Sequence, residues 1–378
     1  MTLRQKIERE IRERGTIPFS RYMELCLYEP ELGYYSRDAE QFGKAGDFYT
    51  SSDVHAVFGR LLARQFDEMW RVLGSPGRIE ILELGPGRGL FAQDVLDWSE
   101  KKFPDFFHAL HYLLMERSSA LCRKLSATLS RHFAAGKASL TSSSGRALAP
   151  DVPVIVFANE FFDALPVEVL SSKGELRIGI EEGRLAELWV PPSPEVQEFL
   201  DRHAVRPENN ERIDVPLIAQ EQMAHVASAI DRGFLVVIDY GYTREEQLAG
   251  RHRGTLCAFR QHSVSINPYE APGEQDITAH VNFTALSAAG EAQGVKMQPL
   301  LTQSQFLMGI GENNQFADAF EECRLPQERA KVALQLKHLI TPAGMGESFH
   351  VLIGSQGVDP GQVAALNGLN FGKNVRSA

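Results

Sequence analysis

The chain has little of what would mark it for an oxidising compartment, a membrane or a nucleic acid. Four cysteines occur in 378 residues, and Cys26, Cys122, Cys257 and Cys323 stand far apart with no C-x-x-C pair among them. That spacing offers neither a disulfide framework nor a structural zinc site, so a reducing compartment and no bound metal are expected. No run approaches the roughly eighteen consecutive apolar residues of a membrane-spanning helix, so membrane insertion is not expected. Positive charge is scarce too. A net charge of −10 argues against a nucleic-acid partner, because affinity for phosphates needs clustered Lys and Arg. Glu8, Glu10 and Glu13 among the N-terminal arginines suit neither a secretory signal nor a transit peptide; with no mitochondrial presequence evident, a cytoplasmic location is expected. Internal repeats and low-complexity tracts are missing as well, which removes solenoids and disordered arms. A chain 43% hydrophobic and 23% charged is then an enzyme-sized globular protein with one large core, or a main domain carrying a smaller one.

Glycine is concentrated where it is most informative. In Ile79-Glu80-Ile81-Leu82-Glu83-Leu84-Gly85-Pro86-Gly87-Arg88-Gly89 a short apolar run ends in an acid and then in three alternating glycines. The run has the length and branched residues of a strand buried on both faces, and the glycines let the backbone turn with positive φ and approach a ligand closely. A helix is expected from about Leu90. Dinucleotide enzymes space such glycines G-x-G-x-x-G and set the pyrophosphate on the helix N-terminus. Here the spacing is G-x-G-x-G, and Glu83 would repel a pyrophosphate while suiting the cationic amino-acid end of S-adenosylmethionine. A second apolar run, Leu110 to Met115, ends at Glu116, with Ser118 or Ser119 able to cap a following helix. An acid at the end of the second strand of an open parallel sheet is placed to accept both ribose hydroxyls of an adenosine.

Three regions follow from the patterning. Residues 1–76 read as a helical N-terminal cap: Leu3, Ile7 and Ile11 share a helical face, and Val57, Leu61, Leu62, Phe66, Met69 and Trp70 form a longer stripe. Between them, Phe42 to Ser52 mixes turn glycines, aromatics and hydroxyls, a composition suited to a lid or to plain connection. Residues 77–378 read as an α/β domain with a doubly wound parallel sheet, its strands expected at Ile79 to Leu84, Leu110 to Met115, Val152 to Ala158 and Gly233 to Asp239. From about 165 to 232 the period changes to short antiparallel strands with Lys173-Gly174 and Glu182-Gly183 turns, followed by helices. This marks an inserted or extended antiparallel part.

The chemistry is expected at Ala158-Asn159-Glu160-Phe161-Phe162-Asp163-Ala164-Leu165-Pro166. These residues leave a central strand at the sheet edge where open α/β folds bind ligands. An amide and two carboxylates between phenylalanines could align a cationic or amide-bearing nucleophile with a methyl group, so that catalysis rests on alignment and electrostatics. A structural alternative has Asn159 and Asp163 capping a helix, which leaves Glu160 unexplained.

Taken together, the glycine loop, the Asn159 to Pro166 segment, Gly46-Asp47-Phe48-Tyr49-Thr50 and Asp276-Ile277-Thr278-Ala279-His280-Val281-Asn282-Phe283 resemble the MidA family of S-adenosylmethionine-dependent methyltransferases. Tyr22 to Tyr35 and Ile238-Asp239-Tyr240-Gly241-Tyr242 fit as well, so the resemblance spans almost the whole chain. It implies a class I, Rossmann-like methyltransferase fold, S-adenosyl-L-methionine as cofactor, and a protein substrate methylated on arginine. It is compatible with a homodimer and points to a bacterial member rather than the mitochondrial one, which acts during respiratory complex I assembly. By the same resemblance Glu83, Gly85, Gly87 and Gly89 hold the methionine part and ribose, Glu116 the ribose hydroxyls, and Asn159 the cofactor edge nearest the substrate. Gly46, Asp47, Phe48 and Thr50 would close over it. Glu160 and Asp163 would hold a guanidinium, whose planar fork pairs bidentately with carboxylates, and His280 could accept the released proton or simply begin a helix. A small-molecule methyltransferase and a cofactor-binding assembly factor without turnover are the alternatives. A nicotinamide-dependent reductase is the weakest, for want of a Tyr-x-x-x-Lys pair after a strand.

Overall fold

Runs of branched aliphatic residues ending in acids become the strands of one mixed sheet in the computed structural model, which describes residues 1–37, 56–141, 148–149, 151–203, 205–208, 211–250, 254–260, 263–265 and 267–371. Ile79–Leu84 (β1), Leu110–Met115 (β2), Ala138–Thr141 (β3), Val154–Asn159 (β4) and Gly233–Tyr242 (β5) run parallel. Phe349–Gln356 (β6) pairs antiparallel with β5. Across the sheet the order is β6-β5-β4-β1-β2-β3. Chain order therefore reverses between β1 and β4, and a crevice opens outside the carboxyl ends of these two strands. All six residues of β1 are buried, as expected of a parallel strand covered on both faces.

Helices Leu3–Arg14 (α1), Phe19–Tyr28 (α2), Ala56–Val72 (α3), Leu90–Lys102 (α4), Ser119–Thr128 (α5), Leu217–Ser228 (α6) and Phe283–Glu291 (α7) are among those that cover the sheets. On one face α3 and α4 bring Phe66 and Phe91 against Phe157 of β4: the Phe91 ring stacks on it at 4.4 Å and Phe66 meets it edge-on at 5.6 Å. Truncating such a ring to alanine costs about 3–5 kcal/mol, so this trio anchors the strand that ends at Asn159. On the other face Met223 and Val226 of α6 and Leu286 of α7 cover Leu235 and Val237 of β5. A boundary at residue 76 runs between α3 and β1, two elements of one core. The α/β class with a doubly wound sheet, expected from the sequence, is the fold observed. The antiparallel strand β6 was not foreseen.

A second sheet forms where the sequence changes period. Gly174–Glu181 pairs antiparallel with Glu168–Ser171, Arg184–Val190 and Ile17–Pro18, and Arg212–Val215 lies beyond Glu168–Ser171. Glu182 and Gly183 both take positive φ, 47° and 75°, as a tight two-residue hairpin requires. Against this sheet pack Leu3 and Ile7 of α1 and Phe19 and Met23 of α2, meeting Leu176 and Ile178. The N-terminal helices and the inserted strands thus form one unit, and the chain leaving α2 is delivered to the crevice. Among the described residues no helix is long and apolar enough to cross a membrane.

Candidate active site

Past β1 the three glycines do different things. Gly87 has φ 54°, and a Cβ built there would meet nothing within 4 Å, because the position borders a cleft of about 450 Å³. Gly89, at φ 77°, faces away from the cleft. A Cβ there would come 3.1 Å from Leu125 Cγ and 3.3 Å from Leu129 Cδ1, so this glycine sets how closely the helix α5 approaches α4. At Gly85 a Cβ would lie 2.8 Å from Phe161 Cδ2, and its absence lets the loop after β4 pack on the loop after β1.

Glu83 and Glu116 both line the cleft. Tyr112 donates a hydrogen bond to Glu83 Oε2 at 2.9 Å. Burial pushes the Glu83 carboxyl up to about 8, and the charge of Glu116 adds to the effect. Glu116 ends one residue beyond β2, where the Ser118 N–H donates to it at 2.8 Å. Burial raises its carboxyl to about 7 even though the N–H groups of Ser118, Arg117 and Gly87 favour the charged form. Two acids held this far above the ordinary carboxylate range favour a ligand that brings a cation to one and hydroxyl donors to the other.

No helix follows Asn159. The chain instead turns, and a carboxylate from the neighbouring strand holds the turn: Asp239 Oδ2 accepts the N–H groups of Phe161 at 3.2 Å, Phe162 at 3.1 Å and Asp163 at 3.4 Å. Its other oxygen accepts the Tyr240 N–H at 2.9 Å. The helix-capping alternative for Asn159 and Asp163 is therefore not what forms. Glu160 sits at φ 50° while its N–H donates to the Ile238 carbonyl at 3.0 Å. A non-glycine residue in this region carries a penalty on the order of 1 kcal/mol, and the Asp239-held turn keeps it there. Tyr240 donates to Asp163 Oδ2 at 2.6 Å. Burial raises the Asp163 carboxyl, and it raises that of Asp239 further, helped by the neighbouring Asp163 charge. Among the described residues, Asn159 Oδ1 and Asp163 Oδ1 are buried with no hydrogen-bond partner.

The far wall comes from the end of α2 and the chain after it. Tyr28 donates to the Ala164 carbonyl at 2.8 Å, Tyr35 donates to Asp276 Oδ1 at 2.9 Å, and the Tyr35 carbonyl accepts the Ser118 hydroxyl at 2.6 Å. The sequence reading placed Tyr28, Tyr35, Asp239 and Tyr240 in family-like segments without giving any of them a role, and counted Asp276 only within a run of polar groups. Asp239 could have been found by the argument used for Glu83 and Glu116, since it too is an acid near the end of a buried parallel strand.

Glu83, Gly85, Gly87, Glu116, Asn159, Glu160 and Asp163 all line the cleft, and Gly89 does not. His280 lies outside it, in an adjoining cavity, with its ring 5.2 Å edge-on to Tyr240 and its backbone N–H donating to Thr255 Oγ1 at 2.9 Å. It does not begin the following helix: Asn282 caps α7, which starts at Phe283. Gly46, Asp47, Phe48 and Thr50 lie outside the described residues. The empty space beside Gly87, the unpartnered buried oxygens of Asn159 and Asp163 and the two raised acids fit a cofactor with a cationic amino-acid end and a ribose.

A model of a family of S-adenosyl-L-methionine-dependent methyltransferases matches residues 61–300. The chain belongs to this family. S-adenosylmethionine is its cofactor, and the resemblance read from the motifs is borne out. A Burkholderia thailandensis protein solved with bound S-adenosyl-homocysteine has a TM-score of 0.83 at 28% identity, over 97% of this chain and 94% of its own. Among curated relatives, protein arginine methyltransferase NDUFAF7 homolog of Drosophila melanogaster is 29% identical over 94% of this chain and 85% of its own. Human mitochondrial protein arginine methyltransferase NDUFAF7 is 26% identical over 90% and 80%. Glu83, Gly87, Glu116 and Asn159 line the cleft of this methyltransferase.

Proposed function

We propose that this methyltransferase acts on a protein substrate and transfers the methyl group to an arginine nitrogen. The observation that carries the reading is the placement of Glu160, Asp163 and Asp276 together where the cofactor cleft meets the adjoining cavity. A guanidinium presents two N–H donors in one plane, and carboxylates bind it with both charge and direction. The relatives named protein arginine methyltransferase support the same acceptor.

Bound S-adenosylmethionine supplies a methyl on a sulfonium sulfur, which keeps the bonding pair and leaves as a thioether. The protein's part is alignment. The strained Glu160 and the Tyr240-bound Asp163 hold the guanidinium so that one nitrogen lone pair faces the methyl carbon, and the cleft walls formed by Tyr28 and Tyr35 restrict water. The nitrogen that gains the methyl loses a proton, which passes to a carboxylate of the cluster or to His280 beyond it. The released proton is thus taken up by groups already present. A cytoplasmic setting belongs to the same proposal.

The test is incubation of the protein and a cell lysate with methyl-labelled S-adenosylmethionine, followed by mass spectrometry of the labelled species. Label on arginine supports the reading, and label confined to other residues or to small molecules overturns it.

A further inference from the structure

The cofactor cleft accounts for only part of the acidic surface at the end of the sheet. A second cavity of about 660 Å³ adjoins it, sharing Glu160, Asp163 and Asp276 as lining. None of the glycine-loop residues reaches this second space. It is built mostly from the later part of the chain: the end of β5, the small three-stranded sheet in which Cys257–Arg260 lies between Ser263–Ser265 and Asp276–Thr278, and the segment leading into β6. Glu246 and Glu347 add two more carboxylates to the shared three, and no lysine or arginine is among the described residues that line it. Tyr240, Phe259 and Phe349 supply aromatic surface on the same walls.

We propose that this cavity is the acceptor-peptide site, holding a basic segment whose arginine reaches past Glu160 and Asp163 into the cofactor cleft; the proposal rests on the arginine reading above. Three observations lead there. Five carboxylates gathered in one lining, among them the buried Asp163 whose Oδ1 has no hydrogen-bond partner among the described residues, make a field that attracts cations. Aromatic faces beside carboxylates suit a guanidinium, which stacks while it hydrogen-bonds. The volume lies in the range of sites for whole drug-sized ligands, on the order of 300–1,000 Å³, so there is room for residues flanking the arginine. Glu347 is exposed and stands at the rim, where it meets the flanking residues rather than the reacting nitrogen. Phe259 is half-buried and presents a face to the side-chain stem.

The probe is a fluorescein-labelled Gly-Lys-Gly-Arg-Gly-Lys-Gly peptide, titrated by anisotropy with full-length protein saturated in S-adenosylhomocysteine. The peptide is expected to bind, and replacing its arginine by neutral citrulline is expected to weaken binding. Glu347→Lys should lower peptide affinity about tenfold at low salt, with a smaller effect as ionic strength rises. Phe259→Ala should lower it about three- to tenfold at all salt concentrations. Calorimetric affinity for S-adenosylhomocysteine should be unchanged in both variants. Failure of the wild type to bind the peptide, or equal peptide affinity in wild type and both variants, overturns the assignment. Label on arginine in the lysate experiment together with indifferent variants would overturn the peptide site and leave the arginine reading standing. Label confined to another acceptor would overturn the arginine reading and this assignment with it, whatever the variants do to peptide binding.

Discussion

Asp239 and Phe162 are joined by a hydrogen bond of 3.1 Å between a buried carboxylate on one strand and a backbone N–H in the loop after its neighbour. Because the same oxygen also takes the N–H groups on either side, one side chain fixes the direction in which Glu160, Phe161 and Asp163 leave the sheet. Asp239 is entirely buried, and the site's geometry rests on it although it is absent from the lining of both cavities.

Removing that acceptor should therefore damage stability and turnover together. Asp239→Ala leaves buried N–H donors unsatisfied, at a cost of about 1–3 kcal/mol, and should lower the midpoint of denaturant unfolding. Asp239→Asn keeps one carbonyl acceptor and imitates the neutral carboxyl that burial favours, so it should retain most of the stability. Equal unfolding midpoints for the alanine variant and wild type would show that the turn holds without Asp239.

The pH dependence of cofactor affinity follows from Glu83 and Glu116, whose carboxyls burial raises to about 8 and about 7 in the free protein. A cationic cofactor group beside Glu83 favours its charged form, so binding expels protons and affinity should fall as pH drops from about 8.5 to 6. The slope approaches one decade per unit for each group below its free value, and at least a tenfold loss is expected by calorimetry. Glu83→Gln should flatten the upper part of the curve. The stability of the free protein has the opposite trend: the folded Glu83 value lies above the ordinary 4.5, the folded state holds the extra proton, and stability declines as pH rises from about 4.5 to about 8. A cofactor affinity independent of pH would remove Glu83 from the binding set.

Gly87 and Gly89 offer a paired test of what the glycine loop does. Both have positive φ, so alanine carries a similar backbone penalty at each, on the order of 1 kcal/mol. Their surroundings differ, open cleft at one and Leu125 and Leu129 at the other. Gly87→Ala should weaken cofactor binding with little further loss of stability, since the new methyl enters ligand space. Gly89→Ala should chiefly lower the unfolding midpoint, because Leu125 must give way. A reversed pattern in calorimetry and thermal unfolding would assign the wrong glycine to the cofactor.

Much of this arrangement could be read in the sequence, and the reason is physical. A parallel strand covered on both faces must be an apolar run, and an acid closing such a run at Glu83 or Glu116 has to emerge at the ligand-binding edge. The turn at Glu182-Gly183 was equally local, since positive φ in a hairpin selects its own residues. What stayed hidden depends on distant contacts. The segment Phe349–Gln356 becomes the antiparallel neighbour of β5 only through pairing, and no local pattern says which edge it joins. Tyr35 reaches Asp276 across most of the chain, because the N-terminal helices dock on an inserted sheet far away in sequence. Asp239 stands at the end of an apolar run in the sequence, but its partners are N–H groups that only the folded loop presents.

Glu160 gives the sharpest separation of catalysis from binding. Its backbone is held at φ 50° by the Asp239-bound turn, so Glu160→Gln changes charge with almost no change of shape and leaves the strain as it was. If the side chain pairs with a cationic acceptor, the variant loses a charge-assisted partner worth about 1.5–3 kcal/mol, or roughly ten- to hundredfold in turnover at about 1.4 kcal/mol per decade. Cofactor affinity should change little, because Glu83, Gly87 and Glu116 remain in place. Glu160→Gly provides the second arm: it removes the carboxylate and also the positive-φ penalty, so the protein should be at least as stable as the glutamine variant while turning over no faster. Single-turnover rates on an arginine-containing acceptor, read beside calorimetric cofactor affinities, decide between roles. Wild-type rates in both variants would strike Glu160 from the catalytic set, and a loss confined to cofactor affinity would move it to the cofactor's own contacts.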